Sequence, residues 1–114
     1  MRGVKDILLV GSRNPMIAAI YRHLMTCRKG ADMVATSSSA VTRLALNQYQ
    51  LIVLAEYLPE GRALDLLRVL PRKAGRILIV CERAPMPEPV REAKELGGRM
   101  IGPDWDVCVQ VLTG

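Results

Sequence analysis

Few side chains in this 114-residue chain can do chemistry: Cys27, Cys81 and Cys108, the single histidine His23, and acids and arginines set just beyond apolar runs. The cysteines are odd in number and widely spaced. They form no CxxC, no zinc pattern and no disulfide framework, so reduced thiols are expected. We read His23, beside Arg22, as an ordinary helix residue with no Cys, Asp or Glu at metal-ligand spacing. No metal and no cofactor is expected. Cys81 has Arg83 two residues on, and a nearby guanidinium would lower its pKa and make it reactive. The competing reading, which we favour, is a small buried cysteine packing as an apolar group. Ser12, Arg13 and Asn14 precede a helix start, where backbone amides can hold an anion. Pro15 removes one of those donors, so a capped, empty terminus is the simpler expectation. Arg83 could join Ser12 and Arg13 in such an anion site. No nucleophile lies beside a base in the sequence, so no catalytic residue is assigned and no enzymatic role is expected.

Composition narrows the classes further. Half of the residues are apolar, enough for one two-sided core at this length, whereas aromatics are limited to Trp105 and three tyrosines. The core must therefore be aliphatic. The net charge of +5 comes from 16 Lys and Arg against 11 Asp and Glu. The arginines are scattered without a basic run, so a solvated surface is favoured over nucleic-acid binding. No stretch approaches a membrane span, and the N-terminal apolar run is too short for a signal peptide. A cytoplasmic location with no membrane contact is expected.

Five apolar runs, at residues 7–10, 33–36, 51–55, 77–81 and 99–101, recur at regular intervals. ILLV, LIVLA and ILIVC are continuous and rich in branched residues, as strands buried on both faces of a parallel sheet are. Helices are expected between them. The first opens at Asn14-Pro15, carries Met16, Ile17, Ile20, Tyr21 and Leu24 inward, and stops at Lys29-Gly30. The second starts from the serines at 37–39 with Val41, Leu44 and Ala45 inward. The third spans 62–70, with Ala63, Leu64, Leu67 and Leu70 inward and Pro71 ending it. The fourth spans 88–96 with Val90, Ala93 and Leu96 on one side, closing at Gly97-Gly98. Residues 105–112 fit either a strand or a helix, and a helix completes the alternation. The result is an α/β chain of (βα)5 type, with right-handed crossovers placing helices on both faces. Ligands of such sheets bind beyond the carboxyl ends of the strands.

The residues at those ends resemble response-regulator receiver domains, and the likeness runs along nearly the whole chain. LIVLAEYLPEG is similar to the third strand and loop of that family, where the phosphorylated aspartate stands four residues before a proline; Ala55 holds that place before Pro59. ILLVGSR resembles the first strand, with Gly11 and Ser12 where the family carries an acidic pair. ILIVCER puts Cys81 at the usual Thr or Ser, and RMIGPDW puts Gly102 before Pro103 where a lysine is usual.

The resemblance implies a flavodoxin-like three-layer sandwich with a five-stranded parallel sheet in the order 2-1-3-4-5. It also implies a degenerate phosphorylation pocket of Gly11, Ser12, Ala55, Cys81 and Gly102. With no carboxylate for Mg²⁺ and no lysine, aspartyl phosphorylation by the family's chemistry is not expected. Glu56 follows Ala55 on a strand and so points to the opposite face unless a bulge intervenes. In receivers the fourth helix, fifth strand and fifth helix form the docking surface. Here that surface holds Arg91, Glu95 and Arg99, with Met100 and Trp105 as expected apolar anchors.

The expected function is a phosphorylation-independent signalling module acting through a protein partner (a kinase, an output domain or another regulator) or through a homodimer. The alternative is a small anion- or nucleotide-binding domain using the strand ends. The chain is expected to be one receiver-like domain over residues 1–114, either free-standing or the N-terminal domain of a longer regulator, the second being consistent with the VLTG ending after a short last helix.

Overall fold

The computed structural model describes residues 4–28, 30–70 and 75–113. Strand β1 (Val4–Val10) leads into helix α1 (Pro15–Thr26), β2 (Ala31–Val34), α2 (Ser37–Leu46) and β3 (Gln48–Ala55). A hairpin of two short strands, β4 (Tyr57–Leu58) and β5 (Gly61–Arg62), precedes α3 (Ala63–Val69). Then follow β6 (Arg76–Val80), α4 (Pro87–Glu95), β7 (Gly98–Ile101) and α5 (Trp105–Thr113). The main sheet has the order β2-β1-β3-β6-β7, and all its pairings are parallel. Setting the hairpin aside, this is the expected 2-1-3-4-5.

The order reverses between β1 and β3. Right-handed crossovers therefore put α1 on one face and α2, α3 and α4 on the other. Helix α5 joins α1, since Trp105 meets the His23 ring edge-on at 5.6 Å. Both faces of the central strands are thereby covered, and Ile7 to Val10, Leu51 to Ala55 and Leu78 to Val80 are all buried. That double burial is why these runs are continuous rather than alternating. Each fully buried Leu or Ile contributes about 1.5–3 kcal/mol to the core.

Local chemistry fixes the boundaries. Asn14 caps α1, its Oδ1 accepting from the backbone N–H of Met16 (2.9 Å) and Ile17 (3.2 Å), with Pro15 in the first turn. Ile17, Ile20 and Leu24 are buried, as the helical spacing requires. The second strand lies two residues earlier than expected. Thr36 is taken as the α2 cap, its Oγ1 accepting from the Ser39 N–H at 3.1 Å, so the strand must end before it.

That cap also sets the phase of α2. Ala40 and half-buried Leu44 face the sheet, while Val41 is 46% exposed and Ala45 is exposed, against the expectation that both point inward. A residue one position along a helix is rotated away from the buried stripe, and Val41 stands in that relation to Ala40. In α3, Leu66 is buried beside Ala63, Leu64 and Leu67, and Leu70 becomes the C-cap. Pro71 and Lys29, expected as helix stops, lie outside the described residues. Residues 105–113 form the helix that completes the alternation, with Cys108 buried and Val107 half-buried.

One polar pair sits at the margin of the core. Tyr49 on β3 reaches across β1 and donates from its hydroxyl to Asp32 Oδ2 on β2 at 2.6 Å. Burial, and then the Asp32 carboxylate, hold the phenol well above its ordinary range. Tyr49→Phe leaves that carboxylate oxygen without its donor and should cost about 1–2 kcal/mol in urea denaturation. The wild-type pair also predicts an alkaline limit. Above about pH 10 the unfolded chain releases the tyrosine proton while the folded chain keeps it, so stability falls as pH rises.

Candidate functional site

The carboxyl ends of β1, β3, β6 and β7 bring Gly11, Ala55, Cys81 and Gly102 to one edge of the sheet, with Ser12 beside Gly11. The edge is knitted together by backbone hydrogen bonds. Gly11 and Ser12 donate to the Val34 carbonyl, Glu56 to that of Val80 (3.0 Å), and Cys81 to that of Ile101 (2.8 Å).

The space above Ala55 is closed. Ala55 has no exposed surface, and Gly11 adopts φ 110°, a conformation that side-chain-bearing residues rarely reach. A Cβ added at Gly11 would stand 2.7 Å from the Ala55 Cβ and 3.2 Å from Leu58 Cδ2. Leu58 arrives there because the hairpin folds back after β3, and it is only 7% exposed. Sequence reasoning missed both the hairpin and Leu58. The signal was the Pro59-Glu60 pair followed by Gly61, turn residues between two short arms.

Cys81 is 1% exposed, and burial, with the Glu56 carboxylate as a second cause, pushes its thiol up to about 12. The alternative of an activating Arg83 gains no support: the arginine side chain is exposed, and burial and a nearby anion both act to raise the thiol's pKa. The buried, packing cysteine is the reading that stands. Glu56 Oε1 accepts from the Glu82 N–H at 3.3 Å, which places the carboxylate at the β6 end beside Cys81, against the expectation that it points to the opposite face.

The anion site expected from Ser12, Arg13 and Arg83 finds its donors engaged. Asn14 takes the α1 amides of Met16 and Ile17, Ser12 N–H goes to Val34, and both arginines are exposed. Among the described residues no group of three or more His, Cys, Asp or Glu is placed to hold a metal ion.

Of the residues expected at the docking surface, Arg91, Glu95 and Arg99 are exposed. Met100 is not, at 9% exposure: it joins Ile101 in the core at the end of β7. Trp105 is 37% exposed, but its ring packs on His23 of α1. Met100 is thus placed in the core rather than on the expected surface, while Trp105 keeps part of its surface open. The reading of His23 needs correction too: Cys27 lies four residues on, on the same flank of the helix, with its Sγ 3.7 Å from His23 Nε2.

The hairpin is tied to the neighbouring helix. Glu60 accepts from Ser38 twice at the start of α2, from the backbone N–H at 3.2 Å and the hydroxyl at 2.6 Å. The Ser38 hydroxyl, then its amide, hold the Glu60 carboxyl below its ordinary value. A depressed folded-state pKa means that the link is complete above about pH 4.5 and is lost as pH falls through the folded value. The Ser38 amide resonance should therefore report Glu60 in an acid titration, and Glu60→Gln should abolish that response.

Searches of protein families and of curated proteins return no match to the sequence. Solved structures do match. A response regulator receiver protein from Pseudomonas putida superposes with a TM-score of 0.81 at 17% identity, covering 99% of this chain and 98% of its own. The chemotaxis response regulator CheY4 of Vibrio cholerae gives 0.79 at 15% identity, covering 97% and 98%. The HemR receiver domain of Leptospira biflexa gives 0.77 at 24% identity, covering 96% and 90%. The fold is that of a receiver domain. Within this receiver fold the edge just described lies at the topological reversal, the place where open parallel sheets bind ligands. No helix among the described residues is long and apolar enough to cross a membrane.

Proposed function

We propose that the chain is a cytoplasmic regulatory module of two-component type that acts through protein–protein contact and without aspartyl phosphorylation. One observation carries this reading: Ala55 ends β3 fully buried, with Gly11 so close that a Cβ added there would stand 2.7 Å from the Ala55 methyl carbon. An acyl-phosphate needs a carboxylate there, metal-binding carboxylates beside it and a cation to steady the phosphoryl charge. Gly11, Ser12, Ala55 and Gly102 offer none of these, and the chain acts as a binding module instead of a catalyst. The exposed Arg91, Glu95 and Arg99 on α4 and β7 form the polar part of the face proposed to dock a kinase, an output domain, another regulator or a second copy.

The test is an amide NMR spectrum of the isotopically labelled chain with Mg²⁺ and beryllofluoride, repeated with acetyl phosphate. The expected spectrum is unchanged. Saturable shifts centred on Ala55, Cys81 and Gly102 would overturn the proposal.

A further inference from the structure

We propose that His23 and Cys27 form a two-residue chelate for a divalent ion of the zinc type at the carboxyl end of α1, remote in sequence from the strand-end residues. A helix brings residues four apart onto one flank, and α1 holds that geometry to its end, with the Cys27 N–H donating to the His23 carbonyl at 3.1 Å. The separation of the two donors is the deciding quantity. Tetrahedral zinc, bonded to sulfur at about 2.3 Å and to nitrogen at about 2.1 Å, holds those atoms about 3.6 Å apart. Cys27 Sγ and His23 Nε2 stand 3.7 Å apart. The pair is already at bite distance, and thiolate with imidazole is a donor set that suits zinc over magnesium or calcium.

The surroundings agree. Cys27 is exposed, while Cys81 and Cys108 are buried with their thiols pushed up by burial, so Cys27 is the sulfur an ion meets first. The last carbonyls of a helix carry partial negative charge, which favours a cation there. The Arg22 and Arg28 side chains are exposed, so solvent and salt screen their charges. Trp105, at 84° to the His23 ring, backs the imidazole. No third protein ligand joins among the described residues, so water completes the shell. Loading replaces the thiol S–H bond by a metal–sulfur bond, and the proton leaves to solvent.

The experiment titrates the reduced, tag-free full chain with cobalt(II) as the spectroscopic probe, followed by zinc. A near-ultraviolet thiolate-to-cobalt band should grow to saturation and disappear as zinc displaces cobalt. Zinc should slow N-ethylmaleimide labelling of Cys27, and the fluorescence of Trp105, the one tryptophan, should change on loading. Exposed Cys27 tolerates substitution, so Cys27→Ser should fold normally, lose the band and bind zinc at least about tenfold more weakly. Cys27→His should retain binding without the band. Zinc binding of undiminished strength in Cys27→Ser, or no saturable binding at sub-millimolar zinc, would overturn the proposal.

Discussion

Gly11→Ala is expected to destabilise the domain by about 3–5 kcal/mol, the sum of a strained backbone conformation and an overpacked core. The backbone at φ 110° disfavours any side chain, and the new Cβ would press on the Ala55 methyl at 2.7 Å. Neither partner can yield easily. Ala55 is held by its pairing with Val80 of β6, and Leu58 is held by the hairpin. Against a typical domain stability of about 5–15 kcal/mol, such a loss is large enough to shift the urea midpoint severely. Gly11→Ala combined with Leu58→Ala tests the Leu58 share of the overpacking, because trimming Leu58 relieves the 3.2 Å contact but leaves both the strain and the 2.7 Å contact with the Ala55 Cβ. A Gly11→Ala protein as stable as wild type would mean that this edge of the sheet is not closed.

The second large effect is expected at Ala55→Asp. A carboxylate introduced at a position with no exposed surface is cut off from water, and the substitution should cost at least about 3 kcal/mol. Ala55→Asn is the control, since it adds nearly the same volume without the charge. The two should diverge with pH. Burial raises the folded-state pKa of the new carboxyl, so the unfolded chain loses its proton first, and the stability of Ala55→Asp falls further between about pH 4 and 7 while that of Ala55→Asn does not. Mg²⁺ should rescue neither variant. Recovery of Ala55→Asp by Mg²⁺ would show that one substitution regenerates an ion site, contrary to the proposed function.

The legible part of the fold was the part dictated by burial on both faces. ILLV, LIVLA and ILIVC are short, continuous and rich in branched residues, as strands in the middle of a covered parallel sheet are, and Asn14-Pro15 states a helix start in two residues. Helix α2 was legible in extent but not in phase. Its apolar residues, Ala40, Val41, Leu44 and Ala45, span more than one stripe, and only the Thr36 cap selects which of them meets the sheet. The strand-end residues were found by counting, because Pro59 and Pro103 mark their places. What lies over them was not found, since Leu58 reaches its position through a hairpin whose arms are two residues each. Met100 was misplaced because a four-residue strand gives too few alternations to show which side is buried. The His23 and Cys27 pair was readable as a four-residue spacing.

Gly11 and Gly102 stand at the same edge but differ in what they permit. A Cβ at Gly102 would meet only the Ala84 Cα, at 3.8 Å, whereas one at Gly11 meets two side chains at closer range. A lysine grafted at Gly102 therefore meets no clash at its Cβ, which makes that position the natural first step. An acid at Gly11 can only come late, after Leu58 has been cleared and the backbone rotated out of its left-handed state. Reconstruction of a phosphate-accepting centre in this scaffold thus has a compulsory sequence of steps, and the hairpin must be rebuilt before the first strand can be touched.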